Sequence, residues 1–112
     1  MCMKNRTKGT IVADQVELAD TFWQRLKGLL GTKFLQLGHG LIIKPCSSVH
    51  TFGMNYPIDV LFVDSNHCII KIVENMLPSK ASMAARSQYV VELPAGTAHR
   101  AACCVGDILE FQ

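Results

Sequence analysis

The chain has 112 residues, of which 49% are hydrophobic and 18% are charged. This composition excludes a disordered polar chain, and the length predicts a single domain over residues 1–112. Eleven Lys and Arg against nine Asp and Glu give a net charge of only +2, so no nucleic-acid partner is expected. Residues 1–15 do not resemble a secretory leader and no apolar run reaches membrane-spanning length, so we expect a cytoplasmic protein without membrane insertion.

The N-terminal part of the chain predicts a strand and one helix. Residues 8–18 contain β-branched residues in partial alternation, which indicates a strand or a short hairpin. Asp20 or Thr21 can then cap a helix that runs from about Thr21 to Leu30 with one apolar face. Gly31 is the expected residue at which this helix ends.

The middle of the chain predicts the core. Residues 40–45 indicate a short buried strand, and residues 58–64 form the strongest strand pattern in the sequence. Residues 64–67 are typical of a hairpin turn, which leads into a strand over residues 68–74. Residues 75–87 lack a clear period and contain a proline, so we predict a surface loop there.

The C-terminal part predicts two more strands around a short helical turn. Residues 88–94 form a strand, residues 97–102 a single helical turn, and residues 108–111 a closing strand after a tight turn. The complete pattern is mostly β (α+β), with about seven short strands, one N-terminal helix and a short second helical turn. It favours a small closed or partly open β-barrel.

Six short motifs follow one another from Arg25 to the C-terminus. They are Arg25 with Gly28-Leu29-Leu30-Gly31, Gly40-Leu41-Ile42-Ile43, Val49-His50-Thr51-Phe52-Gly53-Met54, Pro57-Ile58-Asp59-Val60-Leu61-Phe62, Val91-Glu92-Leu93-Pro94-Ala95-Gly96 and Gly106-Asp107. In this order, over residues 25–112, they resemble the family called domain of unknown function 192. Many members have a Trp-Met-Lys-Asn-Thr-like run where this chain has Phe52-Gly53-Met54-Asn55-Tyr56. The resemblance implies a small β-rich domain and assigns no activity.

Cys46, His50 and Met54 form the first candidate constellation. An extended chain over residues 46–54 would place all three side chains on one side. A thiolate, an imidazole and a thioether suit a soft metal ion such as Cu(I) or Zn(II), but a structural zinc site requires a fourth ligand. The alternative, which we favour, is that Cys46 and Met54 are core residues and His50 is a hydrogen-bonded histidine at the edge of a pocket.

Cys46 and His50 are also candidates for a nucleophile and its base. In an extended strand their Cα atoms would lie roughly 13 Å apart, which is too far for direct contact. A bend at Ser47-Ser48 would be needed to bring the two side chains within hydrogen-bonding distance. The sequence therefore leaves open whether the chain is an enzyme.

Asp59 is predicted to be buried, because it alternates with Leu61 and Val63 inside a strongly apolar strand. A buried carboxylate must be hydrogen-bonded or paired, so we favour a structural role in which Asp59 accepts backbone N–H groups or the guanidinium of Arg25. In the alternative, Asp59 lines a small polar pocket. Glu92 alternates opposite Val91 and is expected to be a solvated or rim carboxylate.

The function that these residues favour is a small binding or accessory module with one small polar pocket. The candidate pocket residues are His50, Thr51, Met54, Asp59 and Glu92. The alternative is an enzyme that depends on a thiol and an imidazole, or a soft-metal-binding protein, using Cys46 and His50. No glycine-rich phosphate loop is present and no cofactor is implied, so we expect either a protein partner or a small ligand.

Overall fold

The computed structural model describes residues 1–29 and 34–112. Two helices are α1 (Phe22–Lys27) and α2 (Thr97–Arg100). The strands are, in chain order, β1 (Met3–Asn5), β2 (Thr10–Ala13), β3 (Gln15–Ala19), β4 (His39–Ile43), β5 (Ser48–His50), β6 (Ile58–Val63), β7 (Ile69–Met76), β8 (Ala81–Met83), β9 (Tyr89–Pro94) and β10 (Leu109–Phe111). The fold is therefore mostly β. No described helix is long and apolar enough to cross a membrane.

A five-stranded sheet in the order β3-β4-β9-β6-β7 forms the centre of the molecule. Every residue of β6 and of β9 is buried, as apolar runs of β-branched residues predict for strands covered on both faces. The two strands pair antiparallel, with Asp59 opposite Leu93 and Val60 opposite Glu92. Because side chains alternate along a strand, each face of this sheet contributes to a separate hydrophobic cluster.

The predicted closed or partly open barrel is not confirmed, because the strands of the described residues form three separate sheets and no closed barrel. β1 pairs with β10 and β2, and β5 pairs with β8. The count of about seven strands was too low because short strands such as β1 and β8 carry no clear alternation and are defined by pairing with distant segments. Residues 75–87, predicted as a loop, contain β8. The single strand or hairpin expected at residues 8–18 is divided between two sheets.

Helix α1 begins as predicted and ends earlier. The Thr21 side chain accepts a hydrogen bond from the Gln24 backbone N–H, and the Gln24 side chain accepts one from the Thr21 backbone, which completes a capping box. Gly28 has a φ of +49°, a left-handed value that ends the helix three residues before the predicted Gly31. Leu30 and Gly31 lie outside the described residues. The early end of α1 leaves Gly28 beside the central sheet.

Candidate functional site

A cavity of about 140 Å³ lies between the C-terminal end of α1, the segment around β5 and the central strands β4 and β9. Of the residues named from the sequence, Cys46, His50, Met54 and Glu92 line it. Thr51 and Asp59 are not among its lining residues. The period-two pattern thus grouped Cys46, His50 and Met54 correctly around one space, although the strand itself covers only Ser48–His50.

Thr51 is fully buried and makes local structural contacts. Its hydroxyl donates a hydrogen bond to the Leu77 carbonyl oxygen at 2.6 Å and accepts one from the Lys80 backbone N–H at 2.9 Å. The Thr51 backbone N–H also donates to the Lys80 carbonyl oxygen. These bonds fasten the chain after β5 to residues 77–80, so the Thr51 side chain positions the segment that forms one wall of the cavity.

Asp59 is fully buried and its carboxylate accepts three backbone hydrogen bonds. One comes from Asn75 at 2.8 Å, and the other two come from Gly96 and Ala98, at 3.0 and 2.9 Å. Gly96 and Ala98 lie at the start of α2, whose own N-terminal residue supplies no side-chain cap. Asp59 therefore joins β6, β7 and α2 through backbone donors and makes no ion pair with Arg25.

Glu92 is buried, with only 3% of its surface exposed, so of the two expected positions, solvated or at the rim of a pocket, the solvated one is wrong. Alternation along β9 does turn its side chain away from Val91, but toward the second hydrophobic cluster and the cavity rather than toward solvent. Loss of hydration raises the pKa of Glu92 from 4.5 to about 7. A carboxyl group with this pKa is partly ionised and partly protonated at neutral pH.

No hydrogen bond or ion pair joins the Glu92 carboxyl group to another described residue. Because no fully buried side-chain oxygen of the described residues lacks a partner, the Glu92 carboxyl oxygens reach the open space of the cavity. Gly28 lies beside this carboxyl group: a methyl group at position 28 would make van der Waals contact with Glu92 Oε1 at 3.5 Å and with the Ile43 side chain at 3.7 Å. The left-handed φ of Gly28 also disfavours any larger residue there. The Glu92 carboxyl group, the floor of the cavity, therefore faces open space rather than another side chain.

The Cys46 thiol is half-buried and donates a hydrogen bond to the Ser48 carbonyl oxygen at 3.1 Å. Burial raises the pKa of this thiol, with Glu92 adding to the effect, while the Ser48 contact and Arg25 act in the opposite direction. His50 stacks on Phe52 with ring centroids 5.3 Å apart. Within the described part of the chain Cys46 and His50 do not bond to each other, so the structure gives no support to a nucleophile and base.

The described residues contain no group of three or more His, Cys, Asp and Glu side chains placed to hold a metal ion. The set Cys46, His50 and Met54 shares the cavity wall, but Met54 is buried in the second hydrophobic cluster, and Cys46 packs against that cluster. Met54 is thus a core residue, as the core interpretation expects, whereas Cys46 is only half-buried.

Arg25 and Lys27 are cavity residues that sequence reasoning missed as site residues. Both lie in the last turn of α1, at the end of the helix that borders the cavity. The signal was present, since Arg25 and Gly28 belong to the first of the six ordered motifs and Glu92 to the fifth. Motifs distant in sequence thus meet at one cavity.

Comparison with known proteins gives a family and no activity. The family DUF192, described as "Uncharacterized ACR", matches residues 3–111 and thus begins upstream of Arg25. A UPF0127 protein of Pyrococcus furiosus is 33% identical, and the match covers 97% of each chain. A Novosphingobium aromaticivorans crystal structure of unknown function has a TM-score of 0.84 at 25% identity, with 98% of this chain and 82% of that one covered. A Sinorhizobium meliloti structure, of a protein proposed as a transcription regulator, has a TM-score of 0.83 at 29% identity, with coverage of 97% and 89%.

Proposed function

We propose that this chain, which belongs to the uncharacterised DUF192 family, is a small-molecule binding module that anchors its ligand on Glu92. The observation that carries the proposal is the state of this carboxyl group. It is 97% buried, faces a cavity and has no hydrogen-bonding partner among the described residues. The carboxyl oxygens open onto the cavity and are shielded from bulk water without a protein partner, which costs free energy, so a ligand that supplies the missing contacts would be favoured there.

The surroundings of Glu92 also fit a binding site. Gly28 keeps the space above the carboxyl group clear, and Met54 gives the cavity an apolar wall. Small-ligand sites commonly combine such apolar walls with a few polar groups that fix orientation. At about 140 Å³ the cavity has room for roughly five water molecules, so its ligand is small.

A screen by two-dimensional ¹H–¹⁵N NMR tests the proposal. The probes are small polar molecules of roughly ten non-hydrogen atoms or fewer, including amines, alcohols, carboxylates and amino carboxylates. We expect at least one probe to shift the backbone amide signals of Gly28, Cys46 and Glu92 in a saturable way. The Glu92→Leu variant should lose this response, because it removes the polar anchor and keeps the fold.

Glu74→Leu is the matched control, since Glu74 is an exposed carboxylate on β7 outside the cavity. This variant should bind the same probes as the wild type. If no probe perturbs the cavity amides at millimolar concentration, or if Glu92→Leu responds like the wild type, the binding module anchored on Glu92 is overturned.

A further inference from the structure

The cavity carries opposite charges that do not pair with each other. Arg25 and Glu92 both line it, yet the ion pair found within residues 1–29 and 34–112 joins Lys8 and Asp107, far from this site. The Arg25 guanidinium makes no hydrogen bond to a described residue, although it can donate five. A second cation, Lys27, is exposed at the rim on the same side. One wall of the cavity is therefore cationic, and its floor is a carboxyl group.

We infer, resting on the proposed binding function, that the ligand is a small dipolar molecule that carries an ammonium group and a carboxylate: an amino carboxylate. Its ammonium group would donate hydrogen bonds to the Glu92 carboxylate at the floor. Its carboxylate would accept hydrogen bonds from the Arg25 guanidinium, whose planar geometry suits a carboxylate. Both unpaired groups of the cavity would then have a partner of opposite charge.

A ligand with one charge would pair with only one of the two groups, Arg25 or Glu92. A simple amine would pair with Glu92 but would also meet the positive charges of Arg25 and Lys27. A simple anion would pair with Arg25 but would repel the ionised form of Glu92, or require that Glu92 be protonated. An amino carboxylate avoids both costs, because each of its two charges has a partner of opposite sign in the cavity lining. The cavity volume restricts it to a molecule with a short carbon chain.

The test compares three probes of equal chain length by calorimetric or NMR titration: β-alanine, propylamine and propionate. We expect β-alanine to bind at least about tenfold more tightly than either single-charge probe, because it gains two charge-assisted contacts rather than one. Arg25→Gln should reduce β-alanine to the affinity of propylamine. Glu92→Gln should reduce it to the affinity of propionate. Arg86→Gln, which removes an exposed arginine outside the cavity, should leave all three affinities unchanged.

The outcomes separate this inference from the proposed function. Propylamine binding as tightly as β-alanine, with no loss in Arg25→Gln, would identify a cation site. Propionate binding as tightly as β-alanine would identify an anion site that uses protonated Glu92. Either result overturns the dipolar ligand and leaves the binding module intact. Failure of all three probes, with another class active in the NMR screen, also overturns only the ligand class, whereas a silent screen overturns both.

Discussion

Asp59 and Glu92 are two buried carboxylates on neighbouring strands, and they face opposite sides of the same sheet. Asp59 shares its face with Leu61 and Val63 and accepts three backbone hydrogen bonds. Glu92 shares its face with Val90, opens on the cavity and has no hydrogen-bonding partner among the described residues. Burial is nearly equal at the two positions, so the number of hydrogen bonds distinguishes a structural carboxylate from one available to a ligand.

The largest effect is expected at Asp59. Asp59→Ala should lower the free energy of unfolding by about 4 kcal/mol, because three backbone N–H groups lose their acceptor inside the protein. Chemical denaturation at neutral pH measures the change. The exposed carboxylate of Glu74 provides the control, and Glu74→Ala should change stability by less than about 0.5 kcal/mol. A similarly small loss in Asp59→Ala would contradict the structural role of this carboxylate.

The second prediction concerns the pH dependence that Glu92 imposes on stability. Its pKa is about 7 in the folded protein, above the ordinary 4.5, so the folded state retains a proton that the unfolded chain has already released. The stabilisation of the folded state by protonated Glu92 is fully present below about pH 4.5. It decreases by about 3 kcal/mol as the pH rises through 7. Four other titratable side chains face this cavity: Arg25, Lys27, Cys46 and His50.

Glu92→Gln isolates this contribution, because it keeps the size of the side chain and removes its titration. Denaturation of both proteins over about pH 4.5 to 8 should show the wild type losing stability relative to Glu92→Gln as the pH rises. The other four groups are present in both proteins, so the difference reports the titration of Glu92 together with its coupling to them, such as its effect on the pKa of Cys46. If that difference stays constant with pH, Glu92 is not desolvated in the folded state and the contrast with Asp59 fails.

The smallest effect is expected at Cys46 and is a difference in reaction rate. Its pKa is raised by burial, so little thiolate forms and alkylation by iodoacetamide at neutral pH should be slow. Cys104 is exposed and should react first, as peptide mass spectrometry of partly alkylated protein would show. His50→Ala should leave the Cys46 rate unchanged. Rapid alkylation of Cys46 that depends on His50 would support the alternative in which Cys46 is a nucleophile and His50 its base.

Several features of the fold could be predicted from local sequence. The long apolar runs predicted β6 and β9, and the capping residue Thr21 predicted the start of α1. The three-residue strands β1 and β8 could not be predicted, because their pairing depends on distant partners, β10 for β1 and β5 for β8. The barrel was predicted for the same reason, because local sequence does not show how the strands group into separate sheets.

The candidate site also combines features that local sequence predicts with features that depend on tertiary contacts. Sequence by itself determined that Asp59 is buried and that Cys46, His50 and Met54 lie around one space, because alternation along an extended chain is a local property. Only the tertiary structure decided that Glu92 is buried rather than solvated, since the packing of α1 and β5 over β9 covers that face. It also placed Arg25 and Gly28 opposite Glu92. Charge and hydrogen bonding at a cavity depend on contacts between distant segments, which no local pattern encodes.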